Sequence, residues 1–357
     1  MNIEQSVTQV LSQTLDPLLG ISANDLGLKS TLSHEGERLS LHLSAGFPSG
    51  FLEDSLLPQL NRAFLTALPE HPIDLTLGHF IKAHRTQLAG KGLRGVKNTI
   101  AIASGKGGVG KSTITVNLAA ALARSGARVG ILDADIYGPS IPLMLGKTAP
   151  VTVSGEHYLP VTAHGVQAMS IGYLMDGEPA LIWRGPMLAK SLLQMLDITK
   201  WDELDYLLID LPPGTGDIQL SLVQKIPITA AIIVTTPQTV ATMDAEKAIK
   251  MFVKTNIDVL GIIENMSTHR CTQCGHEEAI FSHGGALALS LKYKTELLGQ
   301  LPLNGQIGSD CDNGAPTAAK GSGELAVTFI KTALRAALAL SNKPLNYADR
   351  FPEIIVE

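Results

Sequence analysis

The hydrophobic rhythm of the chain changes once, near residue 98. Ahead of that point Val7, Val10 and Leu11 recur at helical spacing, and residues 38–44 alternate apolar and polar positions as a half-buried strand does. Residues 52–67 carry the stripe of one amphipathic helix, and residues 73–77 alternate again. These patterns predict a small α+β unit over residues 1–80. A basic, glycine-containing stretch (Lys82, His84, Arg85, Lys91, Arg94, Lys97) follows, and residues 81–97 are expected to act as a linker. From residue 98 the strands become apolar on both faces. Residues 100–103, 128–132, 206–209, 230–234 and 259–263 are short apolar runs separated by helical segments such as 111–125 and 323–341. That alternation predicts an α/β domain over 98–357, a mostly parallel sheet flanked by helices.

Composition narrows the class. The 357 residues are 45% hydrophobic and 17% charged, a globular balance, and the length suits two domains. A net charge of -5 offers no polybasic footprint for nucleic acid or an anionic membrane. No apolar run reaches the ~18 residues of a membrane span, and the start lacks the regions of a signal peptide. Three cysteines are too few for a disulfide framework and suit a reducing compartment, so a soluble, cytoplasmic chain is expected.

The candidate chemistry begins at residues 105–112. Gly105, Gly110, Lys111 and Ser112 satisfy the phosphate-loop spacing, between an apolar strand and a helix. Backbone N–H groups of Gly105, Lys106, Gly107, Gly108, Val109 and Gly110 are expected to cradle ATP phosphates, helped by the helix N-terminus. Lys111 is expected on the β/γ-phosphates and Ser112 on Mg²⁺. Asp133, Asp135 and Asp210 end apolar runs, where parallel sheets place their ligands. Phosphoryl transfer needs a carboxylate near the magnesium, for which Asp133 and Asp210 are the expected ones, and one near the attacking water; as helix caps or turn residues these carboxylates would carry no chemistry. Cys271 and Cys274 form a C-x-x-C pair in a polar loop. By spacing, the pair suits half of a four-thiolate iron–sulfur site completed by a second copy, a zinc site shared with His269 or His276, or a plain thiol pair.

The glycine loop with its additional Lys106 resembles the deviant phosphate loop of the ATPase class that includes the nitrogenase iron protein, MinD and ParA. The resemblance implies that Lys106 contacts nucleotide across a homodimer, that Asp210 opens a switch loop and holds a water of the magnesium shell, that Asp135 orients or deprotonates the attacking water, and that Asn265 contacts the base. Together with residues 133–140, Trp183, Arg184, Gly185 and Pro186, the Asp210 loop, and residues 264–267 ahead of Cys271 and Cys274, the chain is similar to the Mrp/ApbC family over residues 95–340. That similarity implies an ATP-dependent carrier with a labile bridging 4Fe–4S cluster, delivered to apo iron–sulfur proteins alongside the cluster assembly machinery. A positioning or partitioning ATPase is the rival, but it wants a basic amphipathic terminus, and the chain's end is proline-broken. A zinc-site NTPase without a cluster is the third reading. Cys311 matches no motif and is expected to be buried. The first unit resembles a small domain shared with iron–sulfur assembly factors, through Asp16, Pro17 and residues 26–28. Such domains often have a cysteine after a turn where this chain reads Ser44 to Gly50, and no thiol precedes Cys271, so a docking or regulatory role is expected of this unit.

Overall fold

A computed structural model describes residues 3–35, 38–174 and 185–346. The chain divides into two compact units, Met1–Lys82 and Ala83–Glu357. In the first, helix Ile3–Gln13 precedes strands Lys29–Glu35, Arg38–Ala45 and Ile73–His79. The first two strands pair antiparallel and the second and third parallel. Leu39, Leu41, Leu43 and Ala45 are buried while His42 faces out, the expected period of two. The stripe over 52–67 resolves into two helices, Gly50–Ser55 and Leu57–Ala67. Pro58 explains the break: it has no N–H to donate into a continuing helix, but it is at home in the first turn of a new one. Ser49 is buried at the start of the first of these helices, its Oγ 3.1 Å from His79 Nδ1.

The second unit is built on an eight-stranded sheet. Across it run Glu296–Gln300, Asp258–Glu264, Ala230–Thr235, Val96–Ser104, Leu204–Asp210, Val129–Asp133, Val166–Ser170 and Val161–Ala163. All neighbours are parallel except the last pair, an antiparallel hairpin. Every residue of Val129–Asp133, Leu204–Asp210 and Ala230–Thr235 is buried, as strands covered by helices on both faces must be. Residues 83–95 pack within this unit. His84 meets Asn98 Oδ1 through its backbone N–H (3.0 Å) and Nδ1 (2.9 Å), and Gln87 Nε2 donates to the carbonyls of Val223 and Ile226.

Register brings the chemistry to one edge. Asp210 pairs with Asp133, Asp133 with Ser170, and Val234 with Ser104. The carboxyl ends of adjacent strands therefore finish level, beside the loop that follows Ser104. Trp183 and Arg184 lie outside the described residues, as does the chain end beyond Asn346; Gly185 opens helix Gly185–Ile198. Among the described residues no helix is long and apolar enough to cross a membrane.

Helix Glu324–Ser341 closes the far edge of the sheet, where a Cβ on Gly299 would stand 2.2 Å from Thr332 Oγ1 and 3.0 Å from Thr332 Cβ. Gly299→Ala is expected to cost about 1–3 kcal/mol by overpacking, read as a lower melting temperature. Thr332→Ala in the same chain should recover most of that loss, and an unchanged melting temperature for the single variant would contradict this packing.

Candidate functional site: a phosphate cradle and a thiol hairpin

The strand Val96–Ser104 delivers the glycine loop and helix Lys111–Arg124 leaves it. Gly110, the residue before the helix, has φ 84°, a backbone conformation that costs glycine nothing. Gly105 is required by proximity: a Cβ there would stand 2.1 Å from the carbonyl carbon of Asp244. Among the described residues no acceptor faces the N–H groups of residues 107–112. A row of unpaired donors at a helix N-terminus is what an anionic phosphate group satisfies.

Asp210 organises the floor of this cradle. It is 0% exposed, and Lys111, 6% exposed, places Nζ 2.8 Å from its Oδ1. Ser112 Oγ donates to Oδ2 (2.6 Å) and Thr115 Oγ1 to Oδ1 (2.8 Å). Thr115 was not expected from the sequence. The available signal was its position one helical turn beyond Lys111 and Ser112, on the same face. Ser112 and Asp210 together present hard oxygen donors of the kind Mg²⁺ takes, so the residues present fit a magnesium–nucleotide.

The remaining predicted residues occupy different places. Asp135 is half-buried, and that burial raises its carboxyl above the usual range, with Lys111 opposing and Asp210 adding to the rise. Asp133, expected beside the magnesium, lies level with Asp210 at the end of its strand. It is fully buried; Ser170 Oγ donates to Oδ2 (2.9 Å), and the N–H groups of Asp135 (3.1 Å) and Ile141 (3.4 Å) also donate to its carboxylate. The two backbone bonds tie residues 134–141 to the strand end. Asn265, expected on a base, donates from Nδ2 to the Val109 carbonyl (2.9 Å) and lies against Gly110, bracing the cradle. Lys106 is partly exposed, and its ammonium makes no ion pair among the described residues.

Cys271 and Cys274 sit on a hairpin whose strands, His269–Arg270 and Glu277–Glu278, pair antiparallel. The Cys271 N–H donates to the His276 carbonyl (2.8 Å) and Gly275 N–H to the Cys271 carbonyl (2.9 Å), closing a tight turn. N–H groups of Cys274 and Gln273 directed at the Cys271 sulfur lower its pKa and favour the thiolate. Cys274 is exposed at the tip. Among the described residues no group of three or more His, Cys, Asp or Glu side chains converges, so neither His269 nor His276 joins the thiols. Cys311 is buried elsewhere, 3.7 Å from Asn117 Nδ2, and burial pushes its thiol up to about 11.

A family profile described as "ParA: NUBPL iron-transfer P-loop NTPase" matches residues 95–337. The chain belongs to this family. Similar members include the iron–sulfur cluster carrier protein of Escherichia coli K12, 53% identical over 74% of this chain and 72% of that one. The protein of the same name in Haemophilus influenzae is 45% identical over 92% of this chain and 90% of its own. The mouse iron–sulfur cluster transfer protein NUBPL is 44% identical over 66% of this chain and 77% of its own. Among solved structures, a nucleotide-binding protein from Archaeoglobus fulgidus in complex with ADP is 42% identical, with a TM-score of 0.56 over 62% of this chain and 87% of that one. The Pyrococcus furiosus cell-division ATPase MinD (23% identical, TM-score 0.52, covering 67% and 97%) shares the fold of this NTPase family.

The buried Asp133 carboxyl gives this NTPase site a pH signature. Burial first, and the nearby Asp210 carboxylate second, push its pKa from 3.8 up to about 8. Between those values the folded chain holds a proton that the unfolded chain has released, so the stability this group contributes is lost as pH rises toward 8. Without magnesium and nucleotide, Asp133→Asn is expected to gain on the wild type in melting temperature as pH goes from 4 to 8. A difference between the two that stays constant with pH would refute the assignment.

Proposed function

We propose that this chain is an ATP-dependent carrier of a 4Fe–4S cluster, held between two copies and handed to apo iron–sulfur proteins. The carrier role rests on family membership and on relatives named as iron–sulfur cluster carriers. The observation that carries the finer reading is the incompleteness of the thiol hairpin. It offers two sulfur ligands and nothing else converges on them among the described residues, whereas a 4Fe–4S cluster takes four thiolates. Two hairpins facing across a two-fold axis supply them. A zinc site within one chain would need at least one further ligand beside the pair.

ATP is bound by the N–H groups of the glycine loop, with Lys111 leaving Asp210 for the β/γ-phosphates. Ser112 and Asp210 hold the magnesium, which when bound neutralises phosphate charge. Asp135, poised by partial burial, positions the attacking water. Lys106, partly exposed and without an ion pair among the described residues, is left to reach the nucleotide of the second copy in a homodimer that closes over ATP. Phosphoryl transfer of this kind depends on positioning and charge neutralisation rather than on a covalent intermediate.

Iron and sulfide analysis after anaerobic reconstitution tests the cargo. One 4Fe–4S per dimer is expected for the wild type, and neither Cys271→Ala nor Cys274→Ala should retain it. One tightly held zinc per chain would defeat the reading. For the nucleotide half, Lys106→Ala is expected to bind ATP but hydrolyse it about 10²-fold more slowly, the usual loss when one charge-stabilising donor is removed from a transition state. Wild-type turnover by that variant would remove Lys106 from the mechanism.

A further inference from the structure

A cavity of about 470 Å³ opens beside the thiol hairpin. Its walls come from the hairpin, the loop at Pro302 and Asn304, and the first turns of helix Glu324–Ser341. The two thiols are not equivalent toward it: Cys271 lines the cavity, and Cys274 does not. The turn fixes that difference, because Cys271 is tied through both its N–H and its carbonyl while Cys274 stands at the exposed tip.

The lining suits a polypeptide rather than an apolar ligand. The Thr268 and Thr272 hydroxyls and the Asn304 side-chain N–H groups offer hydrogen-bonding partners along the walls for an extended main chain, while Thr328 Oγ1 donates to the Glu324 carbonyl and Asn304 Oδ1 accepts from Gln306 N–H. Arg270 from the hairpin lies 3.9 Å from Glu324 on the helix, so two walls are joined by a weak, solvent-exposed ion pair that an incoming chain can open at little cost.

We propose that this cavity receives the cysteine-bearing segment of the acceptor apoprotein, and that Cys271 is the ligand exchanged first. The inference rests on the cluster-carrier reading above and adds an entry side and an order to it. The acceptor thiol gives up its proton, its sulfur forms a bond to the iron that Cys271 holds, and the Cys271–iron bond breaks. The released proton passes through solvent to the Cys271 sulfur. No electron is transferred, and the cluster keeps its oxidation state. Cys274, which does not line the cavity, keeps hold until a second acceptor thiolate arrives.

Filling the cavity without touching either thiol tests this. Thr328→Trp and, as an independent filler, Leu325→Trp would be compared with Val327→Trp, whose position on the same helix does not line the cavity. Melting temperature and iron content establish that each variant is folded and loaded, so either filler suffices if the other fails to fold. Cluster transfer to a four-cysteine apo-ferredoxin is expected to slow by about tenfold or more in the fillers, the equivalent of one lost contact of ~1.4 kcal/mol, with Val327→Trp unaffected. Iron extraction by bipyridyl, which needs no peptide docking, should stay at the wild-type rate. Unimpaired transfer by an iron-loaded filler overturns the proposal alone, as does an equal slowing of bipyridyl extraction. Absence of iron from the wild type removes the carrier reading and this proposal with it.

Discussion

The second unit depends on a single buried carboxylate. Asp210 ends an inner strand of the sheet with no exposure to solvent, and an isolated charge there would be costly. Lys111 supplies the opposite charge, and the Ser112 and Thr115 hydroxyls fill further acceptor positions. All three donors come from the first turns of one helix, so this ion pair also fixes where the helix begins and how the glycine loop before it is wound. The arrangement is conditional. Lys111 serves either Asp210 or a phosphate, and removing one partner of a buried pair strands the other. Any ligand that draws Lys111 away must therefore return positive charge near Asp210. A magnesium–nucleotide does this, whereas a nucleotide alone adds only negative charge. The loop that Asp210 opens runs against the cradle, with Pro213 Cγ 3.9 Å from where a Gly107 Cβ would be. Cradle and following loop are therefore joined both by this packing and by the Asp210 carboxylate.

How far the sequence could be read depended on how local each signal was. The glycine loop was legible because its constraints are backbone ones: Gly110 needs a left-handed φ, and Gly105 needs to lack a Cβ. The all-apolar strand runs were legible for the same kind of reason, since burial on both faces leaves one composition. The split of residues 52–67 was obscured because Pro58 keeps the apolar period intact while changing the hydrogen bonding, and periodicity is blind to that. The hairpin of Val161–Ala163 and Val166–Ser170 left no run long enough to see. Asp133 and Asp210 look alike in sequence, each ending an apolar strand. What separates them is non-local: Ser170, on a strand distant in sequence, takes up Asp133, while the Lys111 helix takes up Asp210. The bond from Asn265 to the Val109 carbonyl was invisible for the same reason, since a side chain's partner across the fold cannot be seen from its neighbours in sequence.

That same Asn265 joins the two chemical sites. Strand Asp258–Glu264 leads into it, and its Nδ2 holds the Val109 carbonyl of the glycine loop. Its own N–H donates to Thr235 on the neighbouring strand, and the N–H of Ser267 donates to Leu301. Between these anchors Met266 is held at φ 56°, a conformation that a side-chain-bearing residue adopts only under constraint. The thiol hairpin begins a few residues further on, at His269. The path from cradle to thiols is thus a short covalent segment pinned on both sides, with strain at its centre. Val109 and the strand end are thus joined by the Asn265 side chain, one residue before the left-handed Met266. If nucleotide state alters how firmly the hairpin holds its cargo, linkage requires the cargo to alter nucleotide affinity by the same factor. The covalent stretch from Asn265 to Cys271 is the shortest chain path between cradle and hairpin.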